Sequence, residues 1–129
     1  MDLYTIGTDT WSKAPPLDKA RRAASSCIVG HSLCVFGGDN KGDWLNSIEI
    51  IDAEAVVRGE QAEWDMIEII EIKARHYSLA APLSSTELLI LGGRIPAQNL
   101  GDGYAINLKT EIGALCLDST DLKITSHSN

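Results

Sequence analysis

The chain has 129 residues, 18 acidic and 11 basic side chains, and a net charge of −7, a length that fits one domain. An apolar share of 44% is enough for a core and excludes wholesale disorder. The negative balance counts against general nucleic-acid binding, which needs a positive field to displace counterions from phosphate, and against docking on anionic membranes.

In chain order, Tyr4, Trp11 and Pro15-Pro16 come first. Residues 23–29 are small and β-prone. Gly30-His31 then sits where a two-residue hairpin turn belongs, because glycine accepts positive φ without strain. Residues 32–36 form the return strand, 39–46 a polar, glycine-containing loop, and 47–51 an alternating third strand. A helix competes for 53–72. The β-branched run Ile67-Glu68-Ile69-Ile70-Glu71-Ile72 favours a fourth strand over 63–72, only partly alternating, which suits cover on both faces. A short helical turn in 54–60 is left open.

Landmarks then recur. Trp11 is followed eleven residues later by Arg22, and Trp64 eleven residues later by Arg75. Gly37-Gly38 and Gly92-Gly93 each end an apolar run. Fourteen residues after each diglycine stand Ile50-Ile51-Asp52 and Ala105-Ile106-Asn107. The period of about 53 to 55 residues marks a repeat architecture. From Arg75 to Gly92 there are 17 residues against 15 from Arg22 to Gly37, and the two extra are placed in a longer loop at 82–87.

This series, with four strands per period, a diglycine closing the second strand and a Trp starting the fourth, resembles the kelch repeat. The likeness rests on Arg22, Gly37, Gly38, Ile51, Asp52, Trp64 and Met66, then on Arg75, Gly92, Gly93 and Asn107, with Trp11 in a preceding copy. It implies an all-β fold, an incomplete kelch-type β-propeller of four-stranded antiparallel blades. Repeats fill 1–109: the end of one blade at 3–16, a full blade at 22–72 and a partial blade at 75–109. Residues 110–129 are a degenerate last strand or a tail. The departures are Ile51 and Ile106 in place of tyrosine, Asn107 in place of aspartate, and a long 53–63 segment. In such a fold Trp11 and Trp64 fill gaps between blades, and Arg22 and Arg75 either bond a neighbouring blade or face a ligand. So few blades cannot close a ring, so the chain is either part of a longer protein or one that self-associates.

The resemblance implies a non-catalytic protein-interaction module whose unknown protein partner binds loops held on rigid strands. The candidate contacts are Asp39, Asn40, Lys41, Asp43, Trp44, Asn46, Arg94, Gln98 and Asn99. Trp44 stands in a polar loop outside the repeat positions, where an aromatic anchor is useful; the plainer reading folds it back on its own blade. Arg94 and Lys41 suit an acidic partner segment.

Chemistry is poorly supplied. His31, His76 and His127 are far apart, and no metal or cofactor is expected. Gly37-Gly38-Asp39-Asn40-Lys41-Gly42 lacks the phosphate-loop spacing. The alternative reading is a relative of a sugar-handling propeller enzyme, with a pocket lined by Arg22, Arg75 and His76. Cys27, Cys34 and Cys116 are an odd number without a disulfide framework. Cys27 and Cys34 face each other across the first hairpin as small apolar groups. The opening residues lack a secretory pattern, and Leu88-Leu89-Ile90-Leu91 is too short to span a bilayer. The expected setting is intracellular, in the cytoplasm.

Overall fold

A computed structural model describes residues 1–111 and 114–125, with side chains described to residue 108. An N-terminal hairpin pairs β1 (Asp2–Thr5) with β2 (Thr10–Lys13). The first four-stranded sheet contains β3 (Ser25–Val29) and β4 (Ser32–Phe36). A short hairpin follows, β5 (Asp39–Asn40) and β6 (Asp43–Trp44). The chain then re-enters the sheet as β7 (Ser47–Asp52), makes one helical turn, α1 (Ala53–Val57), and completes the sheet with β8 (Asp65–Glu68). The second sheet repeats the plan: β9 (Leu79–Pro82), β10 (Glu87–Leu91), the hairpin β11 (Arg94–Ile95) and β12 (Gln98–Asn99), then β13 (Asp102–Glu111) and β14 (Ala114–Thr125). The orders β3-β4-β7-β8 and β9-β10-β13-β14 are both antiparallel meanders. The chain is therefore all-β apart from α1, which Asp52 caps by accepting from the Glu54 and Ala55 amides.

The two sheets lie side by side, first strand against first strand. Tyr77 donates its amide to Ala23 O, and the Ser25 and Ser78 hydroxyls meet at 3.1 Å. Between the sheets sits one core. Val29, Cys34, Phe36, Ile48 and Ile50 come from the first sheet, and Leu88, Ile90, Ile106 and Leu108 from the second. Each fully buried aliphatic of this kind contributes about 1.5–3 kcal/mol. The other face of the first sheet is covered by the N-terminal segment. This is why every residue of β7 but its last is buried.

The expected elements are present with three changes. The fourth strand is shorter than 63–72: β8 ends at Glu68, and the chain turns so that Ile69 and Ile72 drop into the core. Burial of those two side chains overrides the β propensity of the run. The 39–46 loop contains the β5–β6 hairpin. The longer loop of the second sheet holds one extra residue, not two. Val29 pairs with Ser32 across two residues, whereas Leu83 N bonds Glu87 O across three. β14 occupies the fourth position of its sheet; residues 126–129, and so His127, lie outside the described residues.

Candidate functional site

Each sheet holds one fully buried arginine beneath its short hairpin. Arg75 donates to Lys73 O, to Gly92 O and, in bidentate fashion, to both carboxylate oxygens of Asp102. Its guanidinium lies 5.6 Å from the Tyr104 ring centroid. That partnership holds the Asp102 carboxyl below its ordinary range. In the first sheet the equivalent is Arg21. It donates to Gly37 O, Ser47 O, Ser47 Oγ and, at 2.6 Å, to Glu49 Oε2. Both arginines fix the carbonyl of the first glycine of a diglycine, the point from which each hairpin departs.

The expected pairing of Arg22 with Arg75 is therefore corrected by one position. The Arg22 side chain is 81% exposed and reaches Asp39 Oδ2 at 2.7 Å. Its backbone counterpart is His76: Arg22 pairs with Asp39 as His76 pairs with Arg94. Ala23 and Tyr77 follow with the same left-handed backbone, φ 56° and 55°. The Trp-to-Arg spacing hid this because Trp64 immediately precedes β8 while Trp11 lies inside β2. The Arg-to-diglycine spacing was the better signal. It is 16 residues from Arg21 to Gly37 and 17 from Arg75 to Gly92, matching the single inserted residue.

The glycines behave as the repeat requires. Gly37 and Gly38 have φ 68° and 98°, and a Cβ on Gly37 would lie 2.6 Å from Arg75 O. Gly38 N donates to Arg75 O and Arg75 N to Leu45 O, so the first diglycine is also a joint between sheets. Trp64 is buried at 7% exposure and donates its indole N–H to Pro15 O. Trp11 is 72% exposed, and its ring packs on Tyr4 with centroids 5.0 Å apart.

The candidate contact residues stand on the two short hairpins. In the first, Lys41-Gly42 turns with φ 51° and 96°, as a type I′ turn demands. Asp39 is buried and serves the scaffold, accepting from Gly42 N at 2.7 Å and from Arg22. Asn46 is likewise engaged, donating Nδ2 to Ile69 O. Lys41 and Asp43 are exposed and Asn40 is half-buried. In the second hairpin Pro96-Ala97 makes the turn, with Ala97 at φ 61°, a type II pattern. Arg94, Gln98 and Asn99 are exposed.

Trp44 joins the hairpins. Half-buried, its ring lies 4.0 Å from that of His76, and His76 lies 4.5 Å from Tyr77. Since His76 pairs with Arg94 at the base of the second hairpin, Trp44, His76 and Arg94 link the two hairpins into one ridge. An open groove of about 470 Å³ runs beside it, lined by residues that include Arg22, Asn40 and Lys41. Sequence reasoning missed His76 as a member of this group because nothing local ties it to Trp44.

Among the described residues no three His, Cys, Asp or Glu side chains group as metal ligands. A sugar pocket lined by Arg22, Arg75 and His76 is not formed, since Arg75 is wholly buried and committed to Asp102. No described helix is long and apolar enough to cross a membrane.

Over 63 residues, 46% of its length, the chain is 33% identical to Tip elongation aberrant protein 3 of Schizosaccharomyces pombe (strain 972 / ATCC 24843), a kelch-containing protein. It spans 6% of that protein's length. No family model matches the chain.

Proposed function

We propose that the chain is a non-catalytic, kelch-type interaction module, part of a β-propeller, that binds a protein segment along the ridge made by its two hairpins. The observation that carries this reading is the Trp44–His76 contact, which combines exposed polar residues of both hairpins into one surface. The buried arginines beneath it keep that surface preorganised, so little ordering entropy is lost on binding. Trp44 is the aromatic anchor, and Asn40, Asp43, Gln98 and Asn99 supply hydrogen bonds around it. With Arg22 paired to Asp39, Lys41 and Arg94 outnumber the exposed Asp43 and leave the ridge slightly basic on a chain of net charge −7, which suits an acidic partner segment in the cytoplasm. The similarity to a kelch-containing protein is consistent with such a role.

The test is affinity capture with the intact chain and with a Lys41→Glu/Arg94→Glu variant. A partner that binds the ridge is lost from the charge-reversed chain and is released by added salt. Equal capture by both chains rejects the ridge as the binding surface.

A further inference from the structure

The outer edge of the first sheet is unpaired. β8 ends the order β3-β4-β7-β8, and the chain then turns at 69–72 to reach the second sheet. Ile69 N donates to Asn46 O, Ile67 lies opposite Ile48 and Asp65 opposite Ile50. Antiparallel alternation then aims the amides and carbonyls of residues 65, 67 and 69 at β7, and those of Met66 and Glu68 away from it. Among the described residues no backbone group meets that outward set.

The side chains along this edge decide what can occupy it. Glu60, Glu63, Asp65, Glu68 and Glu71 are all exposed, with no basic residue in 60–71. Arg58 pairs with Glu60; among the described residues the other four carboxylates have no ion pair. Met66 is 37% exposed and Ile70 85%, so apolar contact area lies between the charges. An unpaired strand edge is a template for another strand. Like charges set opposite one another disfavour a second copy of β8 there, and opposite charges favour a basic strand. The same carboxylates thus repel self-pairing and select a cationic segment.

We infer that β8 is a second docking edge, where an extended, lysine- or arginine-rich segment of a partner protein adds to the first sheet as a further strand. Main-chain bonds with Met66 and Glu68 supply affinity, and the flanking carboxylates set the charge of the segment that is accepted. That segment is opposite in charge to the one expected at the hairpin ridge. No residue of the edge belongs to the ridge, so the two sites stand or fall separately.

The test is calorimetric titration of the intact chain with a peptide of about ten residues that alternates lysine and threonine. Its controls are a glutamate–threonine peptide and a lysine–threonine peptide N-methylated at every residue, which keeps the charge but has no main-chain donors. The unmethylated basic peptide is expected to bind, and added salt to weaken it. The methylated peptide, and the chain variant Met66→Pro, should each bind roughly tenfold or more weakly. The Met66 amide points away from β7, so proline there leaves the ladder intact, with circular dichroism as the check. In the wild type, bound peptide slows hydrogen exchange of the Met66 and Glu68 amides, resolved by NMR, and leaves that of Ile67 unchanged. The ridge variant Lys41→Glu/Arg94→Glu binds the peptide at least as well as the wild type does. No binding of the basic peptide, equal binding of either control peptide or by folded Met66→Pro, unchanged exchange at the two amides, or loss of binding in the ridge variant would each overturn the inference.

Discussion

Arg21 and Glu49 form a fully buried ion pair, Nε to Oε2 at 2.6 Å, beneath the first hairpin. Glu49 also accepts the Asp18 amide at 2.5 Å, so the N-terminal segment, the third strand and the diglycine converge on one charged pair. Breaking a buried pair leaves an uncompensated charge and costs about 3–5 kcal/mol. Glu49→Ala and Arg21→Met are each expected to fall in that range by urea unfolding. Arg22→Met, one position along, loses an ion pair whose arginine is exposed, and the buried Asp39 keeps the Gly42 amide, so it should cost less than either of those two changes. Equal losses at 21 and 22 would mean that the repeat register is wrong.

The second buried arginine makes a pH-dependent contribution. Hydrogen bonds from Arg75 hold the Asp102 carboxyl below its ordinary value, against the opposing effect of burial. The folded value lies below the unfolded one, so the unfolded chain binds more protons at acid pH. The stabilisation is complete above the unfolded value, about pH 4, and is lost as pH falls through the folded value. Urea midpoints measured from neutral pH downward should drop more steeply in the wild type than in Asp102→Asn, which starts lower. Parallel profiles would contradict the pairing.

The diglycine joint makes a steric prediction. A methyl on Gly37 meets Arg75 O at 2.6 Å in a left-handed backbone, whereas one on Gly42 meets nothing within 4 Å. Gly42→Ala should lose only the backbone term, about 1–2 kcal/mol. Gly37→Ala must in addition push the two sheets apart. The difference should appear in thermal melts as a clearly larger loss for Gly37→Ala, and equal losses would place the strain elsewhere.

Cys34 pairs across the hairpin with Cys27. Burial, and then the nearby Cys27 thiol, push Cys34 up to about 12; burial raises Cys27 as well. Neither thiol is then an appreciable nucleophile at neutral pH. In a Cys116→Ser background, iodoacetamide should leave Cys34 unmodified in the folded protein and alkylate it fully in urea, read by mass spectrometry. Rapid native labelling of Cys34 would contradict the burial.

Much of this fold was legible because its signals are local. The Gly30-His31 turn, the 32–36 strand, the diglycines and the facing cysteines follow from two-residue periodicity and from glycine's backbone freedom. What escaped depends on long-range contacts. Which of two adjacent arginines goes inside is decided by Glu49 and Ser47, more than 25 residues away. Ile69 and Ile72 leave the strand because a core drawn from both sheets accepts them. In the candidate site, the hairpin positions could be read directly, but the division of labour among them could not. Asp39 and Asn46 serve the scaffold, and His76 enters only because the second sheet brings it under Trp44.

The central claim is that the two hairpins act as one binding surface anchored by Trp44. It is tested most directly by the dissociation constant of a captured partner for the wild type, Trp44→Ala and Trp11→Ser, each with circular dichroism as the folding control. An interface anchor of this kind is worth about 2 kcal/mol or more, roughly a thirtyfold change in affinity. Trp44→Ala is expected to weaken binding by at least that factor, while Trp11→Ser binds as the wild type does. Undiminished binding by folded Trp44→Ala would contradict the account.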